Sequence, residues 1–356
     1  MQETAFDTLR GIGLTPAMAQ SLFNLMQQAG GQPVRVVAVH RETLRLHDGR
    51  AEFDARLHPR LARELADDAD GVAVGDWGLA TDDGQGGRWL THCLDPATAL
   101  RRRDAEGGRH IVVANVDTAL IVMGLDADFS LRRLERFLAL VEGSGVAPVV
   151  VLSKPDLCDD LPHRLARLEA RLPARVPRRV LDGRHPAAAQ ALAPWTLPGH
   201  TLVLLGSSGA GKSTLANTLL GGAVQRTQAT RDSDGRGQHT TTARTLHRLP
   251  GGACLIDTPG VRTLRPDADE ATLAASFDDI GRLSLQCRFR NCRHTTEPGC
   301  AVRAGVEGDR IDNFHKLQRE LRRDSLTVLE RRQQLAEWKA RGRAGHARAR
   351  AKRGEG

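Results

Sequence analysis

The chain has 356 residues, 40% hydrophobic and 26% charged, with six cysteines, a formal charge of +8 and a pI of about 9.7. That length exceeds one small core and predicts two or three domains. No stretch approaches the roughly 20 apolar residues that span a bilayer, and the start, Met1-Gln2-Glu3, lacks a signal peptide's basic and apolar regions, so the expected compartment is the cytoplasm. A disulfide framework is then excluded, and Cys93, Cys158 and Cys254 read as ordinary buried thiols. The basic balance favours a polyanionic partner, although 3% aromatics and no tyrosine leave few rings for base stacking.

Residues 1–30 predict one short amphipathic helix, capped by Thr15, begun by Pro16 and ended by Gly30-Gly31. From 33 to 90 the pattern changes to short strands with tight turns, at 33–39, 44–46, 52–55, 71–77 and 88–90, which predicts a small β-barrel. Residues 100–108 read as a charged link. Strand–helix alternation follows: strands at 111–117, 119–123 and 147–152, a helix at 131–142, then apolar strands at 201–205 and 253–256. Continuous apolar runs between helices predict a doubly wound parallel sheet. Beyond about 275 the sheet pattern gives way to a Cys/His cluster, a helix from Asp309, and a basic tail from 339 onward.

Gly206-Ser207-Ser208-Gly209-Ala210-Gly211-Lys212-Ser213 matches the phosphate-loop pattern G-x-x-x-x-G-K-[ST] in full. Its glycines let the backbone curl so that N–H groups face phosphate oxygens. Lys212 would reach the β- and γ-phosphates, Ser213 would hold Mg²⁺, and the helix through Thr214 adds its N-terminus to the anion site. Asp257-Thr258-Pro259-Gly260 closes a later apolar strand, with Asp257 placed as a second magnesium anchor and the Gly260 N–H as a γ-phosphate contact. Between them, Gln238-His239-Thr240-Thr241-Thr242 suits a switch loop in which Thr241, or Thr240, meets magnesium when a γ-phosphate is present. Ser153-Lys154-Pro155-Asp156, at the end of another strand, offers a carboxylate for guanine N1–H and the 2-amino group, with the stem of Lys154 over the purine. A P-loop ATPase or kinase, and an RNA-binding module with idle nucleotide chemistry, remain the competing classes; base preference and turnover separate them.

The base loop precedes the phosphate loop, the reverse of the usual order. In that order, in Gly237 through Thr242, and in Glu297-Pro298-Gly299-Cys300, the chain from about 33 to 320 resembles the circularly permuted bacterial RsgA (YjeQ) family of small-ribosomal-subunit biogenesis GTPases. The resemblance implies an N-terminal OB-fold, a permuted P-loop GTPase domain and a C-terminal zinc domain. The expected boundaries are 1–30 for a helical extension, 31–100 for the OB-fold, 109–275 for the GTPase domain, 276–338 for the zinc domain and 339–356 for the tail. It also implies GTP hydrolysis to GDP, stimulated by the small subunit and its rRNA, by a monomer acting late in assembly. The family's base motif is usually Asn-Lys-x-Asp; here Ser153, a shorter donor, stands at the Asn position. A second guanine loop should fall near 180–183. No Gln follows Gly260, and in the family the role of orienting the attacking water looks displaced to His239. Cys287, Cys292, His294 and Cys300, spaced C-x4-C-x-H-x5-C, supply three thiolates and an imidazole for one closed, structural zinc ion. Arg288, Arg290 and Arg293 place positive charge on the same knob.

Overall fold

The computed structural model describes residues 2–67, 71–103, 109–222, 244–258 and 270–325. Two helices open the chain, α1 (Gln2–Arg10) and α2 (Pro16–Ala29), where the sequence predicts one. The first is only nine residues long, too short to display a helical period, and is anchored by Leu9 and by Phe6 against Phe23. The predicted α2 boundaries hold: Thr15 Oγ1 accepts from the Met18 N–H at 3.3 Å, and Gly30, at φ 69°, ends the helix.

Strands β1 (Gln32–Val39), β2 (Leu44–His47), β3 (Glu52–Leu57), β4 (Trp77–Asp82) and β5 (Arg88–Cys93) run in the order β1-β2-β3-β5-β4, and β1–β4 pairing closes the barrel. Helix α3 (Pro59–Asp67) sits between β3 and β4, and β3–β5 is the parallel pair, which is the OB-fold arrangement. Val34, Val36, Leu44, Leu46, Ala80 and Leu90 fill it. The strand expected at 71–77 begins only at Trp77. Ahead of it the Asp76 carboxylate accepts from the Ala73 N–H at 2.7 Å, and Gly75, at φ 101°, bends the segment into a turn.

The expected link at 100–108 and the strand expected at 111–117 also differ. Strands β6 (Ala99–Arg103) and β7 (Arg109–Ala114) form a separate antiparallel two-stranded sheet. Asn115 (φ 53°) breaks the chain, and the main sheet resumes at β8.

That sheet comprises β8 (Thr118–Gly124), β9 (Ala147–Ser153), β10 (Arg178–Val180), β11 (Thr201–Leu205), β12 (Thr245–Arg248) and β13 (Cys254–Asp257), in the order β10-β9-β8-β11-β13-β12. All pairs are parallel except β12–β13. Helices α4 (Leu131–Glu142), α5 (Leu161–Glu169), α6 (Ala187–Ala191) and α7 (Lys212–Leu220) complete the layers. β8 and β11 are buried along their whole length, so their apolar runs need no alternation. β12 also touches β1 at Ala38–Thr245, so barrel and α/β sheet form one continuous sheet.

Helices α8 (Glu270–Ser276), α9 (Asp278–Ser284), α10 (Ala301–Gly305) and α11 (Gly308–Ser325) close the described chain. Their core (Leu273, Phe277, Ile280, Val302, Ile311, Leu317) includes Ala139 of α4. A second tie joins the N-terminal parts: the buried Arg35 guanidinium donates to Thr201 Oγ1 (2.9 Å), to the Asn115 (3.0 Å) and Gly75 (3.3 Å) carbonyls, and to the Ile12 carbonyl, with Trp77 against it. One side chain thereby fixes the first helices, the barrel and the start of β11.

Candidate nucleotide-binding site and metal centre

The loops after β8, β9, β11 and β13 emerge at the C-terminal edge of the parallel strands, where open α/β sheets bind ligands. The loop after β11 is forced by its glycines. Gly206 has φ 145°, and a Cβ there would stand 2.1 Å from the Val122 carbonyl oxygen of β8, so no side chain fits. Gly209 (φ 79°) and Gly211 (φ 92°) complete the curl, and Gly211 occupies the N-cap position of α7. Ser207, Ser208 and Gly209 form the accessible rim, while Gly206 and Ala210 are buried. Lys212 Nζ donates to the Gly206 (2.9 Å) and Ser207 (2.5 Å) carbonyls, so the loop wraps its own cation at the helix N-terminus. Ser213 and Thr214 follow in the first turn, where unpaired N–H groups and the helix dipole favour an anion.

Asp257 ends β13, one residue beyond the Val203–Ile256 pair, level with the strand that leads into the phosphate loop. Thr258 is buried and donates to the Leu204 carbonyl at 2.8 Å, pinning the turn after Asp257 against that strand. Gly260, His239, Thr240, Thr241 and Thr242 lie outside the described residues, as does the basic tail from 339.

At the end of β9, Ser153 is 4% exposed, and its hydroxyl donates to the Ala210 carbonyl at 2.6 Å. Ser153 therefore clamps the 153–156 loop to the 206–213 loop. Lys154 (φ 56°) turns the chain, and its ammonium meets Asp126 at 2.7 Å. Pro155 opens a single 3₁₀ turn, Pro155–Leu157, that presents Asp156 to solvent. Asp156 accepts from Arg184 at 3.1 Å, and Arg184 is also gripped by Asp182 through Nε (2.9 Å) and Nη2 (2.9 Å). Thr218 of α7 donates to the Gly183 carbonyl at 2.6 Å. The loop expected near 180–183 thus lies beside Asp156 and against the helix that carries Lys212.

The loop between β8 and α4 was not legible as part of this site. Asp126 holds Lys154, and the Ser207 hydroxyl donates to Asp128, which also pairs with Arg133 at 2.5 Å. Burial disfavours the Asp126 carboxylate, but hydrogen bonds from Lys154 and the Asp128 N–H outweigh it and hold its pKa below the ordinary range. Gly124-Leu125-Asp126-Ala127-Asp128, two acids directly after an apolar strand, was the available signal.

Cys287, Cys292, His294 and Cys300 bring one ligand atom each within 4.8 Å of one another. Cys287 Sγ lies 3.9 Å from Cys300 Sγ and 3.7 Å from His294 Nδ1, which is 3.5 Å from Cys300 Sγ. A tetrahedral zinc with bonds of about 2.3 Å to sulfur and 2.0–2.1 Å to nitrogen implies edges of roughly 3.6–3.8 Å, so the donor set fits that ion. Burial, then the nearby His315, lower the pKa of His294, which suits a neutral imidazole ligand. The half-buried Glu297 shapes the turn between His294 and Cys300. It accepts from the N–H groups of Arg293, Thr295 and Thr296, which hold its pKa down to about 2.

The model of the family described as RsgA GTPase matches residues 94–266. The Small ribosomal subunit biogenesis GTPase RsgA of Xanthomonas oryzae pv. oryzae (strain PXO99A) is 44% identical over 297 residues, covering 81% of this chain and 80% of that one. The chain belongs to the RsgA GTPase family. Two solved structures of like fold are YjeQ from Thermotoga maritima (24% identity, TM-score 0.58, 82% of this chain and 98% of that one) and YloQ, described as a circularly permuted GTPase (20% identity, TM-score 0.55, 83% and 96%). Those likenesses bear on the fold: the OB barrel, the permuted sheet and the C-terminal helical unit with its Cys/His cluster. As an RsgA-family chain it is a GTP hydrolase whose phosphate loop and Ser153–Asp156 loop meet through the Ser153–Ala210 hydrogen bond, although 57 residues separate them in sequence.

Proposed function

We propose that this chain hydrolyses GTP to GDP while bound to the small ribosomal subunit, as a late assembly checkpoint, and that it works as a cytoplasmic monomer on rRNA. The observation that carries the nucleotide half is the meeting of Gly206–Lys212 and Ser153–Asp156 at one sheet edge. The ribosomal half rests on the names of the relatives and on exposed basic charge at Arg288, Arg290 and Arg293 around the zinc cluster. No helix among the described residues is long and apolar enough to cross a membrane.

In this reading Lys212, Ser208, Gly209 and the first N–H groups of α7 hold the phosphates, and Asp156 and Lys154 hold the base. Ser213, Asp257 and Thr241 hold Mg²⁺, which when bound neutralises phosphate charge as the γ-phosphoryl group leaves. The Gly260 N–H contacts the γ-phosphate, and His239 orients the attacking water. One zinc ion on Cys287, Cys292, His294 and Cys300 is structural. The proposed domain boundaries are those expected above, with the antiparallel pair β6–β7 lying across the junction of barrel and α/β sheet.

The deciding measurement is hydrolysis of GTP and of ATP with and without purified small subunits. GTP-selective turnover that rises with small subunits supports the whole reading, and His239→Ala and Thr241→Ala should then abolish the stimulated rate. Preference for ATP overturns the base assignment, and a rate indifferent to subunits overturns the ribosomal one.

A further inference from the structure

We infer that Arg184 reads the O6 atom of guanine and, with Asp156, completes a donor–acceptor pair matched to the Watson–Crick edge of the base. The inference rests on the GTP reading above and names a specificity residue for that same site. Guanine shows three adjacent groups on that edge: the O6 acceptor, then the N1–H and 2-amino donors. An ionised carboxylate only accepts, so Asp156 suits the two donors and leaves O6 in want of a donor beside it.

Ser153 cannot supply that donor. A hydroxyl has one proton, and that of Ser153 goes to the Ala210 carbonyl at 2.6 Å from a buried position. Arg184 stands where the donor is needed: Nη2 is 3.1 Å from Asp156 Oδ2, with the side chain 64% exposed at the open side of the base loop. It is also aimed. Asp182 grips Nε and Nη2, its Oδ1 accepts from the Arg184 N–H at 3.0 Å, and Thr218 fixes the Gly183 carbonyl of the same loop. The two Nη1 N–H groups have no partner among the described residues. The contact to Asp156 does not block the base, because a carboxylate has about four lone-pair sites and Arg184 takes one. Adenine reverses the pattern. Its 6-amino group would face the guanidinium, donor against donor, and its N1 lone pair would face Asp156, so the pair rejects adenine as well as accepting guanine.

The test is competition binding to the full-length protein with GDP, ADP and 6-thio-GDP, for wild type, Arg184→Ala and Arg184→Lys. In 6-thio-GDP a sulfur, a poor acceptor, replaces O6, while the N1–H and amino group remain. Wild type should bind GDP about 10- to 100-fold tighter than 6-thio-GDP, the range of a charged hydrogen bond. Arg184→Ala should lose about that factor for GDP and bind the two nucleotides alike, and Arg184→Lys should recover part of it. In turnover the loss should appear in KM, with kcat unchanged. Arg184→Ala that binds GDP as tightly as wild type, or tighter, makes Arg184 a mere cover on Asp156 and overturns the inference. Full discrimination against 6-thio-GDP retained in Arg184→Ala assigns O6 to the loop backbone and overturns it too. A wild-type protein that prefers ADP brings down the GTP reading itself, an outcome distinct from both.

Discussion

Glu135 of α4 and Arg310 of α11 form an ion pair of 2.7 Å in which both side chains are almost wholly buried. Asn313 donates to the other Glu135 oxygen at 2.5 Å, and Arg310 also forks onto Asp279 (2.8 and 2.7 Å) and lies against the Phe277 ring. This is the seam between the α/β sheet and the helical unit that holds the Cys/His cluster. Its sheet-side partner, α4, begins directly after the loop that holds Lys154 and Ser207.

Arg310→Ala should be severely destabilising. It removes the cation shared by Glu135 and Asp279 and leaves Glu135 only the buried Arg171 as a cation, at 3.6 Å, and removing one partner of a buried pair costs about 3–5 kcal/mol. Urea unfolding followed by circular dichroism gives the value. A midpoint equal to that of wild type would mean that the seam adds nothing to stability.

Gly206→Ala should abolish nucleotide binding while leaving Lys212, Ser213 and Thr214 unchanged. The added methyl meets the Val122 carbonyl at 2.1 Å, and φ 145° is itself foreign to alanine. Strain and overpacking together are worth roughly 2–6 kcal/mol. Equilibrium dialysis with GDP and a thermal melt separate loss of the site from loss of the fold. Undiminished binding would show that β8 can move away from the loop.

The parts legible in the sequence were those whose chemistry is local. The Gly206–Ser213 pattern, Asp257 at a strand end and the Cys/His spacing are each set within a few residues, and the structure brings the four Cys/His donor atoms within 4.8 Å of one another. What escaped depends on contacts distant in sequence. Asp126 and Asp128 matter only because β8 lies beside β11, and Arg184 only because β10 lies beside β9. Glu135 on an amphipathic helix reads as a solvent-facing charge until α11 covers it. The strand expected at 71–77 failed for a related reason: the alternation is there, but the Asp76 side chain and Gly75 turn the backbone toward β7 instead.

The zinc cluster should bind one metal ion per chain, and its removal should unfold the 287–300 turn while sparing the nucleotide site. Structural zinc contributes to folding directly, about 10–16 kcal/mol in small finger peptides at neutral pH. Metal analysis gives the stoichiometry. Proteolysis after chelation should cut within 287–300 first, while GDP binding persists. Cys292→Ser should behave like the chelated protein. A chelated chain as resistant as the untreated one would make the four residues an ordinary thiol cluster.

The Lys154–Asp126 contact gives a prediction in pH as well as in affinity. A carboxylate whose folded pKa is depressed contributes its stabilisation above the unfolded value, about 3.9, and loses it as pH falls through the folded value. Asp126 is such a group, so the contact is fully charged at neutral pH and survives into mildly acidic solution. GDP affinity attributable to this contact should therefore be flat between about pH 5.5 and 8. Asp126→Asn keeps the shape but removes the charge, which frees Lys154 to leave the base and should weaken GDP binding by roughly 5- to 20-fold for a partly exposed charged hydrogen bond. The same substitution should leave zinc content unchanged, since the loop after β8 touches the nucleotide loops and not the Cys/His turn. Wild-type affinity in Asp126→Asn, or a loss of GDP binding already at pH 6, would remove Asp126 from the site and return Lys154 to a role set by its own backbone turn.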